Sequence, residues 1–167
     1  GTGRREGHAN AWAAYDVFRN AGYNDEAIAG ILGRLQQEHN FDTSNVEEYD
    51  DAETGLHLGG YGMFQWNGGR TTAFLNWAQE NNLDSQNPAV QAQYALIEAQ
   101  QRGLTPERMN QLTAEEAADL WTDEWEVGKR GNERQYAAEW RDRIKNGGSA
   151  GGSTDIDIPN TKVDTSA

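Results

Sequence analysis

The chain has 167 residues, 36% apolar side chains, no cysteine and a formal net charge of −13 at pH 7. This size and apolar content allow one buried core, so we expect a single domain without disulfides or thiolate metal sites. The net negative charge and the lack of a basic cluster argue against nucleic acid as a partner. The sequence also contains no run of about 18 apolar residues, the length needed to span a membrane.

Apolar residues in the first 41 positions recur at three- and four-residue spacing, which predicts two helices. The first covers residues 9–21, turns Trp12, Tyr15 and Phe18 inward and is followed by Gly22. Asn24 is expected to cap the second helix. The apolar stripe of that second helix consists of Ile28, Ile31, Leu32 and Leu35.

Glu38 lies at the end of this apolar stripe, three residues after Leu35. At about 100° per residue it falls near the border of the apolar face. Partial removal from water favours the protonated form of a carboxyl group, which a general acid near neutral pH requires. A solvated Glu in the last helical turn explains the position equally well. Gly30 and Gly33 weaken the helix, which suggests that a neighbouring helix or a ligand approaches its backbone.

Residues 42–69 show no helical period and are rich in Gly, Asp and Asn. Loops of this length inside a compact domain are usually functional, although short strands are possible here. Its acidic residues do not follow the EF-hand spacing, so we predict a solvated acidic loop and no metal site. These acidic residues are Asp42, Glu47, Glu48, Asp50, Asp51 and Glu53.

Helical spacing returns after residue 70 and predicts five more helices, the first over residues 71–81. The fourth of them carries Leu120, Trp121 and Trp125. The Gly/Ser-rich residues 147–167 are expected to form a linker or disordered tail, which leaves residues 1–146 as the domain. The start signals after the first are Asn87 with Pro88, Thr105 with Pro106, a Thr113–Glu116 capping box, and Asn132.

Two motifs together resemble the lysozyme-like superfamily, and most closely the phage tail lysozymes. The first is the helix end Gln37-Glu38-His39-Asn40-Phe41, and the second is the downstream Gly60-Tyr61-Gly62-Met63-Phe64-Gln65-Trp66. In that family a glycine-bearing helix carries the catalytic Glu at its C-terminal end, and a Gly-x-Gly-Leu-x-Gln-Trp type segment closes the floor of the cleft. The resemblance covers residues 9–144. It implies a mainly α, lysozyme-like domain with a small irregular or β-hairpin insertion after the catalytic helix.

The resemblance implies cleavage of the β-1,4 bond between N-acetylmuramic acid and N-acetylglucosamine in peptidoglycan, with Glu38 protonating the leaving oxygen. A hydrolase needs a second carboxylate, and Asp50, Asp51 and Glu53 lie where related lysozymes place an Asp. All three can also be solvated loop charges. Without a second carboxylate the site would work as a lytic transglycosylase, with Glu38 as acid and then base and a 1,6-anhydro product.

Six more residues near the two motifs are candidates for substrate binding. Gln65 is the expected polar contact, since a buried amide needs partners that a sugar amide or the backbone could supply. Tyr61, Phe64 and Trp66 are expected to shape the sugar subsites, although core packing explains Trp66 equally well. Gln37 precedes Glu38, and His39 replaces the Ser that usually follows the Glu in this family. His39 lies in line with the apolar stripe, so we interpret it as a packed or cleft-edge residue.

Other function classes fit the sequence less well. A non-catalytic wall-binding or structural virion module remains an alternative, because a fold does not establish a function, but such a module has no need of Glu38. A peptidase is disfavoured because there is no Cys and His8, His39 and His57 lack metal-ligand spacing. No cofactor is expected.

Peptidoglycan is the expected substrate, and the second expected partner is a larger phage tail or ejection protein. The chain starts GTGRREG without a Met, and Gly/Ser-rich residues follow residue 146, as expected for a tethered fragment of a longer protein. An acidic enzyme is not attracted to the negatively charged bacterial wall, so delivery by a virion is the simpler explanation. We therefore expect a virion-associated protein that acts in the bacterial cell wall or periplasm.

Overall fold

The computed structural model describes residues 8–44, 60–126 and 130–147. These residues form seven α-helices, and a π-helical turn, Thr122–Glu126, continues the sixth of them. In chain order the helices are α1 Ala9–Asn20, α2 Asp25–His39, α3 Gly69–Glu80, α4 Pro88–Gln101, α5 Pro106–Met109, α6 Ala114–Trp121 and α7 Glu133–Gly147.

The prediction of a mainly helical domain is confirmed. Over the described ranges there is no strand, and the nearest approach to one is an isolated antiparallel bridge between Tyr61 and Trp66. The middle of the expected insertion, residues 45–59 with Asp50, Asp51 and Glu53, lies outside the described residues. The same holds for most of the expected tail. No helix in the described parts is both long and apolar enough to cross a membrane.

The predicted helix starts are largely confirmed, because the expected capping bonds are present. Asn24 accepts a hydrogen bond from the amide of Ala27, and Asn87 accepts from Ala89 and Val90. Thr113 and Glu116 form the reciprocal capping box. One assignment was wrong by a turn: Trp125 belongs to the π-helical turn beyond α6, not to α6 itself.

Helix α2 is the central helix, and its two glycines explain how neighbours reach it. A Cβ on Gly30 would lie 2.5 Å from the Cβ of Ala117 in α6, and one on Gly33 would lie 2.5 Å from the backbone nitrogen of Ala137 in α7. Both distances are too short for real Cβ contacts. The sequence left open whether a neighbouring helix or a ligand approaches these glycines, and at both of them it is a helix. Helix α2 packs between α6 and α7.

Candidate active site

Glu38 stands in the last turn of α2, and its side chain is 25% exposed. This exposure matches the prediction of a carboxyl group at the border of the apolar face. Arg34 precedes it by one turn, with a side chain that is 5% exposed, and Arg34 Nη2 donates a hydrogen bond to Glu38 Oε1. Glu38 is therefore held by a buried cation on the inner side of the helix end.

Glu133, the first residue of α7, provides a second carboxylate on the far side of Arg34. Its side chain is fully buried, and its Oε2 lies 3.6 Å from Arg34 Nη1 and accepts a hydrogen bond of 2.6 Å from the amide of Gly131. Arg34 thus lies between an accessible carboxylate and a buried one. The sequence analysis missed both Arg34 and Glu133. The spacing of four residues between Arg34 and Glu38 was a usable signal, whereas nothing local connects Glu133 to them.

The last turn of α2 is also fastened to the start of α7 by Gln37. Gln37 Oε1 accepts a hydrogen bond of 3.0 Å from the amide of Asn132, and a Cβ on Gly131 would lie 2.6 Å from Gln37 Nε2. One residue earlier, Gln36 Oε1 accepts a bond of 2.7 Å from the indole of Trp140. The carboxamide oxygen of Gln37, a predicted substrate contact, is therefore used within the protein.

Beyond His39, which is partly exposed, the chain turns sharply. Asn40 and Phe41 both have left-handed backbone angles, with φ of 52° and 64°. This conformation is unusual for a bulky residue such as Phe and requires surrounding support. The support comes from Trp140, whose ring meets Phe41 edge to face at 5.5 Å, and from a 2.9 Å hydrogen bond from Asn10 to the Phe41 carbonyl. This packing supports the turn that follows α2, and the helix itself ends at His39, one residue after Glu38.

The second motif forms a tight turn closed by the bridge between Tyr61 and Trp66. Gln65 is 9% exposed, has φ of 55°, and donates from Nε2 to the carbonyl of Gly62 at 2.5 Å. The side-chain nitrogen of Gln65 therefore has a backbone partner inside the turn. The sequence had allowed either a sugar amide or the backbone as that partner. Tyr61 is partly exposed, and its hydroxyl lies 3.2 Å from Ser85 Oγ. Among the three predicted aromatic contacts, Tyr61 is the one with accessible surface.

Phe64 and Trp66 are fully buried and pack in the core. The Trp66 ring stacks on Phe74 at 4.3 Å and its indole donates to Glu98 at 2.9 Å, while Phe64 packs against Trp125 at 5.9 Å. Neither ring offers a face to a sugar in this structure. Core packing, the alternative that the sequence left open for Trp66, accounts for both rings, and their expected role in shaping the sugar subsites stays a prediction.

Gln91 connects the second motif to the segment that follows α2, and the sequence analysis missed it. This fully buried residue of α4 accepts a 2.9 Å hydrogen bond at Oε1 from the amide of Met63. Its Nε2 donates to the carbonyl of Thr43 at 3.0 Å and to that of Ser85 at 2.9 Å. One side chain therefore joins the segment after α2, the turn at residues 61–66 and the start of α4. A polar residue on the buried face of a predicted helix was the available signal.

The described ranges contain no cluster of three or more His, Asp or Glu side chains that could hold a metal ion. The candidates for a second catalytic carboxylate, Asp50, Asp51 and Glu53, belong to residues 45–59 and stay predictions. The site that can be described thus consists of the partly exposed Glu38, its internal cation Arg34, and the turn that Gln91 joins to the segment after α2.

Comparison with known proteins places the chain in a family. The family described as phage tail lysozyme matches residues 9–144 of the chain. A similar protein is morphogenesis protein 1 of Bacillus phage B103, which is 32% identical over 79 residues. That match covers 47% of this chain and 20% of the phage protein, so the chain spans about a fifth of the length of this relative.

Proposed function

This chain belongs to the phage tail lysozyme family, and on that premise we propose that it cleaves the glycan strands of peptidoglycan with Glu38 as the general acid. The bond would be the β-1,4 linkage between N-acetylmuramic acid and N-acetylglucosamine. The observation that supports the proposal most directly is the position of Glu38. It is a partly accessible carboxyl group at the end of a buried helix, with an internal cation that can stabilise its charge.

The chemistry requires Glu38 to begin the reaction protonated. It donates this proton to the glycosidic oxygen as the bond from the sugar carbon breaks, and the electron pair of that bond goes to the leaving oxygen. Glu38 is then a carboxylate beside Arg34 and can take a proton from the incoming nucleophile. A guanidinium stabilises the charge that develops on the acid during this step.

The nucleophile distinguishes two forms of this function. In a hydrolase, water attacks with the help of a second carboxylate, for which Asp50, Asp51 and Glu53 remain our candidates. Glu133 cannot serve, because its side chain is fully buried behind Arg34. In a lytic transglycosylase, the 6-hydroxyl of the muramic acid attacks instead, and Glu38 needs no partner. We propose hydrolysis and keep the transglycosylase as the alternative.

We further infer that the domain acts as part of a phage particle. The family name and the phage morphogenesis protein that resembles this chain both favour this setting. Because the chain spans about a fifth of that relative, attachment to a larger tail or ejection protein is part of the proposal. Residues 147–167 would then be the tether. A net charge of −13 does not hinder an enzyme that the particle itself carries to the wall.

The deciding experiment is digestion of purified peptidoglycan, followed by mass spectrometry of the released fragments. Reducing N-acetylmuramic acid ends would support hydrolysis, and anhydro ends, lighter by one water, would support the transglycosylase. The Glu38→Gln variant should lose at least about 100-fold in rate, because an amide keeps the size of the carboxyl group but cannot supply the proton.

Glu80→Gln is the matched control, since Glu80 is an exposed carboxyl group at the end of α3. This control should digest the wall at the wild-type rate. A folded Glu38→Gln protein with near-normal rates would remove Glu38 from the mechanism. If the wild-type chain released no fragments from several wall types, the non-catalytic wall-binding or structural alternative would replace the proposal.

A further inference from the structure

We propose that Arg34 and Glu133 are positioning residues that together control the charge of Glu38. In this scheme Arg34 is shared between the two carboxylates: Glu133 holds it while Glu38 carries a proton, and Glu38 receives it when the proton has left. The inference rests on the proposed role of Glu38 as general acid.

The geometry of the three side chains carries this inference. Arg34 is buried in the last turns of α2 and donates to Glu38 Oε1 through Nη2, while Nη1 lies 3.6 Å from Glu133 Oε2. The distance of 3.6 Å is within ion-pair range but longer than a hydrogen bond, so Arg34 Nη1 and Glu133 Oε2 form an ion pair without a hydrogen bond between these two atoms. Glu133 Oε1 is buried and has no hydrogen-bond partner in the described parts of the chain. It is therefore an acceptor that a small movement of the guanidinium could use.

The number of charges explains why such sharing is useful. A buried charge is costly unless it is paired, and here one guanidinium faces two carboxylates. Protonating Glu38 removes one of these two negative charges from the surroundings of Arg34. With Glu133 present, the guanidinium keeps a carboxylate partner in both protonation states of Glu38. The buried carboxylate therefore makes the protonated form of the acid accessible.

The reaction then follows a balanced cycle. Protonated Glu38 gives its proton to the glycosidic oxygen, which leaves with the bonding electron pair, and the new carboxylate is paired by Arg34. In the second half, Glu38 takes a proton from the attacking hydroxyl group or water, and Arg34 returns to Glu133. No proton passes through Arg34 or Glu133, so neither is a catalytic residue in the strict sense.

Other ionisable groups adjoin these three residues in the described ranges. His39 follows Glu38 on α2, and Asp42 comes just after that helix. On the side of α7, exposed Arg130 interacts electrostatically with Glu133. These groups are exposed or partly exposed, whereas Arg34 and Glu133 are buried, so solvent screens their influence far more.

The test is the pH dependence of kcat/KM on soluble glycan strands for the wild type, Glu133→Gln and Arg34→Gln. A general acid causes activity to fall as pH rises. This basic limb of the pH profile should move in opposite directions in the two variants. Without the Glu133 charge, Arg34 pairs with Glu38 alone, so the limb should move by about one pH unit to lower pH. Without Arg34, Glu38 keeps its proton longer, so the limb should move to higher pH. Limbs that stay in place, or that both move the same way, would overturn the inference.

A surface ion pair across α6 and α7 provides the control. Arg141 pairs with Glu115 at 2.7 Å, and Glu115→Gln should leave the pH profile in place. If the buried variants do not fold, a carboxyl ¹³C NMR titration of the wild-type protein decides the matter. The Glu133 signal should respond at the pH where Glu38 titrates, and an independent Glu133 signal would contradict the sharing. If the wild-type protein did not cleave the wall, the proposed function would be refuted. The NMR titration would still test whether Arg34 is shared between Glu38 and Glu133.

Discussion

Gly33 and Ala137 are so close that a Cβ on the glycine would lie 2.5 Å from the backbone nitrogen of the alanine. The neighbour is backbone and cannot rotate away. Gly33→Ala should therefore push α7 from α2 and destabilise the protein by about 1–3 kcal/mol, although alanine is the better helix former. Urea denaturation measures this difference.

Gly69→Ala is the matched control, because nothing lies within 4 Å of a Cβ at Gly69 in the first turn of α3. Its stability should equal or slightly exceed that of the wild type. Equal stability of Gly33→Ala and the wild type would mean that α2 and α7 are not in close contact.

Gln91 should be the polar core residue on which the site most depends. Gln91→Met keeps an unbranched side chain of similar length but leaves the Met63 amide and two carbonyl groups without their partner. Each such group costs about 1–3 kcal/mol when it is buried unpaired. We expect a clear loss in the thermal midpoint.

Wall cleavage by Gln91→Met should also fall at temperatures where the variant is still folded, because Thr43 and Met63 flank the acidic candidates in sequence. Gln111→Met, at an exposed residue that makes one local bond to Glu107, should change neither quantity. Full activity of a folded Gln91→Met protein would show that this connection does not support the reaction.

The acidic candidates predict different outcomes for the two forms of the proposed function. If the enzyme hydrolyses, one of the variants Asp50→Asn, Asp51→Asn and Glu53→Gln should lose about 100-fold or more in rate, and the other two little. If it is a transglycosylase, all three should remain active. Initial rates on one wall preparation, with Glu38→Gln as the inactive reference, provide the comparison. Severe losses in two variants would fit neither form.

His8 should make the protein less stable in mild acid. Burial, and then the nearby Arg143 guanidinium, lower the pKa of His8 below its usual value of about 6.5. As pH falls below about 6.5, the unfolded chain takes up a proton that the folded protein still resists, so the free energy of unfolding decreases until the folded pKa is passed. The measurement is the urea midpoint at pH 7.5, 6.5 and 5.5.

His8→Asn removes the titrating group and suits the left-handed backbone at this position, where φ is 58°. The variant will lose the edge-to-face contact of His8 with Trp140 at 5.3 Å, so its absolute stability is expected to be lower. Its decline between pH 7.5 and 5.5 should nevertheless be smaller than that of the wild type. An identical decline would assign the acid sensitivity to other groups.

Local sequence signals predicted most of the helices. Asn24, Asn87 and Thr113 cap the helices they were expected to cap, because a capping bond spans only two or three residues and is written in the sequence itself. The buried face of α2 and the border position of Glu38 follow from helical periodicity in the same way. Where the prediction failed, at Trp125, the helix changed to π geometry, which periodicity does not reveal.

The sequence by itself determined which segments are helical, where α2 ends and which carboxyl group stands there. The tertiary structure alone decided that Arg34 lies between Glu38 and Glu133, that Gln91 joins the second motif to the segment after α2, and that Phe64 and Trp66 face the core. The physical reason is the distance along the chain over which each interaction acts. Caps and periodicity act within one or two helical turns, whereas the partner of a buried charge or amide is set by which distant segments pack together.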